Sequence, residues 1–232
     1  MISIMQPYFF PYFLYWRMIA NSDKFIIYDD VNYINRGFIS KNYIYSHGGL
    51  QRLTLNVRGA SQNKRINEVK VYQNDNLKMI KTIRHSFCKA PQYNKVLPLI
   101  ESILLCEKHM LSEFLENLIL NVCSYLQIRT EIILSSSLPA SIKSGKGVSR
   151  LIDICRHFGQ DTYVNLPGGR DLYKPVLFSE HNISLLFMNE FELREEANFN
   201  YRISNLSIIQ LLMYIDQGAL QESLYEGIIC GN

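Results

Sequence analysis

With 232 residues, 47% of them apolar, the chain can bury a core of its own without disulfide or metal staples, which suits one domain spanning 1–232. Its five cysteines (Cys88, Cys106, Cys123, Cys155, Cys230) are scattered, odd in number and form no CxxC pair, which argues against a disulfide framework and a zinc site and fits a reducing cytoplasm. The net charge of +3 is uneven: residues 1–95 hold 14 Lys and Arg against 5 Asp and Glu, and residues 96–232 hold 10 against 16. A basic N-terminal half suits a small anionic ligand, and the absence of a dense basic run argues against nucleic acid.

In chain order, Ile2 to Met5 reads as a short buried strand that cannot continue through QPYFFP, because Pro7 and Pro11 fix φ and lack an N–H. From Tyr12 to Ala20 the apolar residues Phe13, Trp16, Ile19 and Ala20 recur at helical spacing. Pro7 and Pro11 also interrupt the one N-terminal run that could act as a signal or spanning segment, Arg17 closes it, and no basic residue precedes it, so neither is expected. Phe25 to Tyr28 is a second apolar strand running into Asp29 and Asp30, and the three elements together predict a βαβ unit.

Alternation from Val31 to Tyr45, then Ser46-His47-Gly48-Gly49 and LQRLTLNV, predicts a β-hairpin. Residues 58–67 read as a loop, 68–72 as a strand and 74–88 as a basic amphipathic helix stopped at Lys89-Ala90-Pro91. Residues 93–127 carry two helical patterns separated near Cys106 to His109, either covering a sheet face or forming a helical subdomain. A strand over 132–134 leads into SSSLPASIKSGKG, residues 135–147, the clearest composition break and the expected mobile loop. A helix over 148–158 capped by Gly159, a strand over 162–165, a tight turn at Pro167-Gly168-Gly169, a strand over 183–188 and a helix over 206–215 complete the pattern. The sum is an α/β, Rossmann-like, mostly parallel sheet flanked by helices, with a hairpin insertion and a helical segment.

Polar residues crowd where strands end, which is where an open α/β sheet displays its site. Asp29 and Asp30 are the candidate catalytic carboxylates; in an extended chain they point to opposite faces, so at most one of them can aim into a given cleft. Arg36, in an exposed Asn35-Arg36-Gly37 turn, is the candidate catalytic cation, with Asn32, Lys41 and Asn42 beside it as a cradle for phosphate. Gln6, Tyr8 and Tyr12 flank the first turn, where a helix N-terminus offers N–H groups and the side chains can orient a ligand. The second wall is expected from Lys146, Ser149 and Arg150 at a helix start, and from Asn165, Gly168, Gly169 and Tyr173 around a turn whose glycines allow close approach. The spacing of a Walker loop, an HxxxH or HExxH pair and a GxSxG elbow are all absent, so no metal and no covalent nucleophile is assigned.

The segments Ile4–Trp16, Asp23–Asn42, Lys89–Pro91, Ser149–Cys155, Tyr163–Tyr173 and Leu206–Met213 together resemble the WbqC-like family associated with bacterial surface-polysaccharide biosynthesis. That resemblance implies an enzyme acting on a nucleotide-linked amino sugar, through amino-acid or acyl transfer that forms an amide. The alternatives are a non-catalytic scaffold of the assembly pathway and a glycosyltransferase, whose metal-binding DxD triplet is missing. Leu14 stands where the family pattern has glycine, Leu77 where it has tryptophan and Gln210 where it has aspartate. The order strand, proline turn, helix and acid-ended strand also looks like the start of nucleotidylyltransferase and pantothenate-synthetase domains, which implies ATP as the cofactor, with Tyr8, Tyr12 or Tyr15 in place of that motif's histidines.

Overall fold

The computed structural model describes residues 1–35, 37–72, 75–190 and 205–226, with the backbone alone of 229–230. Five parallel strands and one antiparallel edge strand form the central sheet: β1 (Ile2–Met5), β2 (Lys24–Ile27), β7 (Glu131–Leu134), β8 (Thr162–Asn165), β9 (Ser184–Met188) and β10 (Ile229–Cys230), in the order β10-β9-β8-β1-β2-β7. Between β2 and β7 the chain inserts the hairpin β3 (Lys41–Ser46) and β4 (Gly49–Thr54), the small pair β5 (Val57–Arg58) and β6 (Lys70–Val71), and three helices. Those helices are α2 (Asn76–Phe87), α3 (Tyr93–Leu104) and α4 (Leu111–Tyr125), preceded in the chain by α1 (Phe13–Ala20). The C-terminal half adds α5 (Ala140–Lys143), α6 (Gly147–His157), α7 (Pro175–Ser179), α8 (Ile208–Tyr214) and α9 (Gln217–Tyr225). This is a Rossmann-like fold.

Strands covered on both faces need apolar residues at successive positions, and the register shows where each goes. Phe25, Ile27 and Val164 join α1, α3, α4 and α8 in the larger core. Ile2, Ile4, Ile26, Tyr163, Leu185 and Phe187 face the other way, onto Leu151 and Ile154 of α6 and Phe178 of α7. Within α1 the side chains of Phe13, Tyr15, Trp16, Met18 and Ile19 are all buried, each stabilising the fold by about 1.5–3 kcal/mol before entropy is charged against it. Among the described residues no helix is long and apolar enough to cross a membrane.

The turn between β1 and α1 is pinned from three sides. Phe10 sits at φ 43, a left-handed conformation that a bulky side chain adopts only under constraint. Asn42 Nδ2 donates to the carbonyls of Phe9 (3.1 Å) and Phe10 (2.8 Å), the Phe9 N–H donates to the Phe38 carbonyl, and the Ile208 N–H donates to the Pro11 carbonyl. The hairpin turn likewise has His47 at φ 51 and Gly48 at φ 79, the pair of positive values that a two-residue turn matched to strand twist requires.

Several sequence expectations are corrected in detail. Residues 31–35 and 37–40 form turns and an isolated bridge rather than a strand. Residues 135–147 hold a 3-10 turn at Ser135–Ser137 and then α5, so the composition break is not a bare loop. Helices α7 and α9 and strand β10 had no counterpart in the sequence reading.

Candidate active site

The strand order reverses between β1 and β8: from β1 the chain builds outward through β2 and β7, then returns to the other side of β1 for β8 and β9. Two strands whose following segments part in opposite directions leave a crevice at their carboxyl ends, and this is where open α/β sheets bind ligands. A cavity of about 390 Å³ lies there. Ile4, Met5 and Gln6 enter it from the end of β1, and Asn165, Leu166, Gly168 and Gly169 from the end of β8; Tyr8, Tyr12, Tyr28 and Tyr173 wall it, with Ile34, Leu151 and Leu172.

None of these described lining residues carries a charge at neutral pH. Burial raises the Tyr12 phenol to about 12, with a smaller push from Tyr8. Burial also raises Tyr8, with Tyr173 adding to it, and raises Tyr28 and Tyr173. The four phenols therefore stay protonated and act as neutral donors and acceptors. Tyr8 packs against the rings of Tyr15 (5.6 Å between centroids) and Phe38 (5.9 Å), which fixes its orientation. Asn165 is buried, its Nδ2 donating to the Tyr163 hydroxyl (3.1 Å) and its Oδ1 accepting from the Leu166 N–H (2.7 Å). A Cβ on Gly169 would stand 2.8 Å from Asn165 Nδ2, so only glycine lets the turn close onto that side chain.

A second polar group sits beside the cavity, behind Tyr28, and it is charged. Arg150 and Asp30 form a buried ion pair, Arg150 Nη2 lying 2.6 and 2.8 Å from the two carboxylate oxygens, with the guanidinium 4.8 Å from the Tyr28 ring. Asp29 Oδ1 accepts from the Ser136 N–H (2.9 Å) and Oδ2 from the Ser136 hydroxyl (2.7 Å). The Ser135 hydroxyl is shared between Asp30 Oδ1 and Asp29 Oδ1, while its oxygen accepts the Asp29 N–H (3.2 Å). Burial nonetheless raises the Asp29 carboxyl above 3.8, the Ser136 and Ser135 hydrogen bonds opposing it. Glu116 on α4 is raised mainly by burial and secondly by the Asp29 charge.

The sequence-predicted residues thus separate. Gln6, Tyr8, Tyr12, Asn165, Gly168, Gly169 and Tyr173 meet at the cavity. Asp29, Asp30 and Arg150 are joined in the charged network instead of lining it, and the two carboxylates converge on Ser135 rather than pointing to opposite faces. The reason is local: β2 ends at Ile27, and the Asp29 N–H folds back onto the Ile27 carbonyl, so the pair is not in extended chain. Asn42 is spent on the first turn, its Oδ1 accepting the Tyr43 N–H. Asn32 is exposed and bridges Arg65, Lys41 opens β3, and Lys146 and Ser149 are exposed at the start of α6, the Ser149 hydroxyl donating to the Lys146 carbonyl. Arg36 lies outside the described residues.

Sequence reasoning passed over Tyr28, Ile34 and Leu172, and it read Ser135 and Ser136 as loop. Tyr28 and Ser135 each follow directly on a strand of the same parallel sheet, so the strand-end rule applied to every strand would have found both. Of the three departures from the family pattern, Leu14 and Leu77 lie outside the cavity lining, and Gln210 is buried on α8 with its Oε1 accepting the Tyr45 N–H (2.9 Å). The described lining offers no Lys or Arg to neutralise a triphosphate, so the cavity interior does not fit the phosphates of ATP.

The model of the WbqC-like protein family matches residues 6–222. The Mycobacterium tuberculosis protein named "Uncharacterized protein Rv1507c" is 28% identical over 191 residues, covering 81% of each chain. No solved structure matches the chain. The match extends from the first switch-point residue, Gln6, past the glycine turn and through α8: this chain belongs to the WbqC-like protein family.

Proposed function

We propose that the protein is a transferase of bacterial surface-polysaccharide biosynthesis that binds an amino sugar in the cavity between β1 and β8 and joins an acyl group to its amine. Family membership implies the polysaccharide role. One observation carries the rest: a switch-point cavity of about 390 Å³ walled by four protonated phenols and a carboxamide from Gln6. Neutral hydroxyls and aromatic faces suit a ring bearing hydroxyl groups, since each phenol can donate to or accept from a sugar hydroxyl while its ring covers the apolar C–H face.

In such a transfer the sugar amine attacks the carbonyl carbon of an acyl thioester, the C–N bond forms, and the C–S bond breaks. The electron pair of that bond leaves on sulfur, and the proton released by nitrogen ends on the thiol. The chain's own contribution is orientation. Tyr8, held by Tyr15 and Phe38, and Asn165, held by Tyr163 and Leu166, are fixed before a ligand arrives, which lowers the entropy cost of aligning amine and carbonyl. The sugar arrives nucleotide-linked in this reading, with the diphosphate outside the neutral cavity. Scattered cysteines without a CxxC pair support a cytoplasmic reaction.

Incubating the protein with nucleotide-linked amino sugars and short acyl thioesters, followed by mass spectrometry, tests the proposal. The expected result is a mass gain equal to the acyl group less one hydrogen, reduced in Tyr12→Phe. No gain across the panel, together with tight binding to other proteins of the pathway, supports a non-catalytic scaffold instead.

A further inference from the structure

Exposed apolar side chains join the tyrosines at the wall of the cavity. Among the described residues, ten large apolar side chains are exposed; Ile34 and Leu172 lie at this cavity, Phe38 reaches it through Tyr8, and Val176 and Leu177 follow Leu172 closely in the chain. Ile34 (49% exposed) and Leu172 (72% exposed) line the cavity themselves, and Phe38 packs on Tyr8 inside it. Exposed apolar residues scattered singly call for no explanation, but a collar of them that converges on one cavity marks a binding surface. The collar and the interior belong to one ligand site because Ile34 and Leu172 share its wall with the tyrosines.

We infer that the ligand is an uncharged sugar ring carrying an apolar chain, the ring seated among Tyr8, Tyr12, Tyr28 and Tyr173 and the chain lying along Ile34 and Leu172. This rests on the assignment of the cavity as the sugar site. The volume of about 390 Å³ lies in the lower part of the range of small-molecule pockets, roughly 300–1,000 Å³, so a ring and the start of a chain fill it and the rest of the chain runs out over the collar. Two attachments give this same chemistry. The chain is either the acyl group on the sugar nitrogen or an apolar carrier on the glycosidic oxygen.

Isothermal titration with two ligand series, each below its micelle concentration, tests the inference. One series is the methyl, butyl and octyl β-glycosides of N-acetylglucosamine; the other is methyl glucosaminide bearing N-acetyl, N-butanoyl and N-octanoyl groups. In the series with the correct attachment, affinity rises with chain length, by up to about fourfold for each methylene seated. Leu172→Ser lowers that slope, whereas Tyr12→Phe weakens every member by a common factor and leaves the slope alone. Leu172 is mostly exposed, so its replacement leaves the fold intact. Binding of the short members with no slope in either series overturns the inference while leaving the sugar site standing. No binding by any member, at concentrations where a nucleotide-linked sugar does bind, overturns it and leaves the sugar reading standing, whereas no binding by either overturns both. A flat series with a dimer that dissociates in Leu172→Ser, seen by size exclusion, overturns it by making the collar an interface between copies of this chain.

Discussion

The cavity and the network behind Tyr28 stand side by side at the carboxyl edge of one sheet, yet they are opposites. The network joins three titratable side chains, Asp29, Asp30 and Arg150, each buried and each answered by a partner within the protein. The cavity holds no charge among its described residues, and its polar side chains are phenols and carboxamides set among apolar ones. Charge is conspicuous in a sequence, but a buried carboxylate whose oxygens are already taken up by Ser136 and Arg150 has little left for a ligand. The difference separates charged residues paired within the protein from neutral residues that line a cavity.

The largest effect that can break this comparison is on stability. Arg150→Ala leaves Asp30 buried without its cation, and the expected loss is about 3–5 kcal/mol, read as a lower denaturation midpoint. An unchanged midpoint would mean that the pair is idle in the fold. Next comes Gly169→Ala, whose new Cβ meets the hydrogen-bonded Asn165 at 2.8 Å. Displacing that side chain costs about 1–3 kcal/mol of stability and shifts the Asn165 amide resonance. Wild-type behaviour in both readouts would show that the turn has room to spare. Tyr12→Phe is smaller, removing one hydroxyl and no ring. Ligand affinity is expected to fall by about 2- to 12-fold, the worth of one neutral hydrogen bond, with the melting temperature unchanged.

Titration sharpens the same contrast. A phenol is an acid, so a raised value extends its neutral form upward: at pH 9 Tyr12, at about 12, is ionised in about one molecule in a thousand. Sugar binding is therefore expected to be flat from pH 6 to 9, and a bell-shaped binding curve would place a charged group in the cavity. Asp29 behaves in the opposite manner. Its carboxyl is raised above 3.8 by burial, so its contribution to stability is fully present below that ordinary value and is lost as pH rises through the raised one. The stability of Asp29→Asn relative to the parent should improve between pH 4 and 7, and a constant difference would contradict the burial argument.

Much of the fold was legible because its signals are local. Pro7 and Pro11 end β1, the spacing of Phe13, Trp16 and Ile19 makes α1, and Gly159 at φ 62 closes α6. Helix α7 has only five residues and α9 has a weak apolar stripe, QGALQESLY, so neither stands out from loop by period. Of the site, the strand-end rule located Gln6, Tyr8, Tyr12 and the Asn165 to Gly169 turn. It could not tell a lining residue from a saturated one, because that depends on partners remote in sequence: Ser135 lies 105 residues from Asp30, and Arg150 lies 120. Asn42 was misread for the same reason, since the carbonyls it serves belong to a turn 32 and 33 residues earlier.

The most direct test of the division between cavity and network is a titration of labelled protein with methyl N-acetylglucosaminide, followed by nuclear magnetic resonance. The side-chain amides of Gln6 and Asn165 report on the cavity, and the backbone amide of Ser136, which donates to Asp29, reports on the network. Saturable shifts are expected at Gln6 and Asn165 while Ser136 stays still. Saturable shifts at Ser136 with Gln6 and Asn165 unmoved would contradict that division, and would return the ligand to the carboxylates.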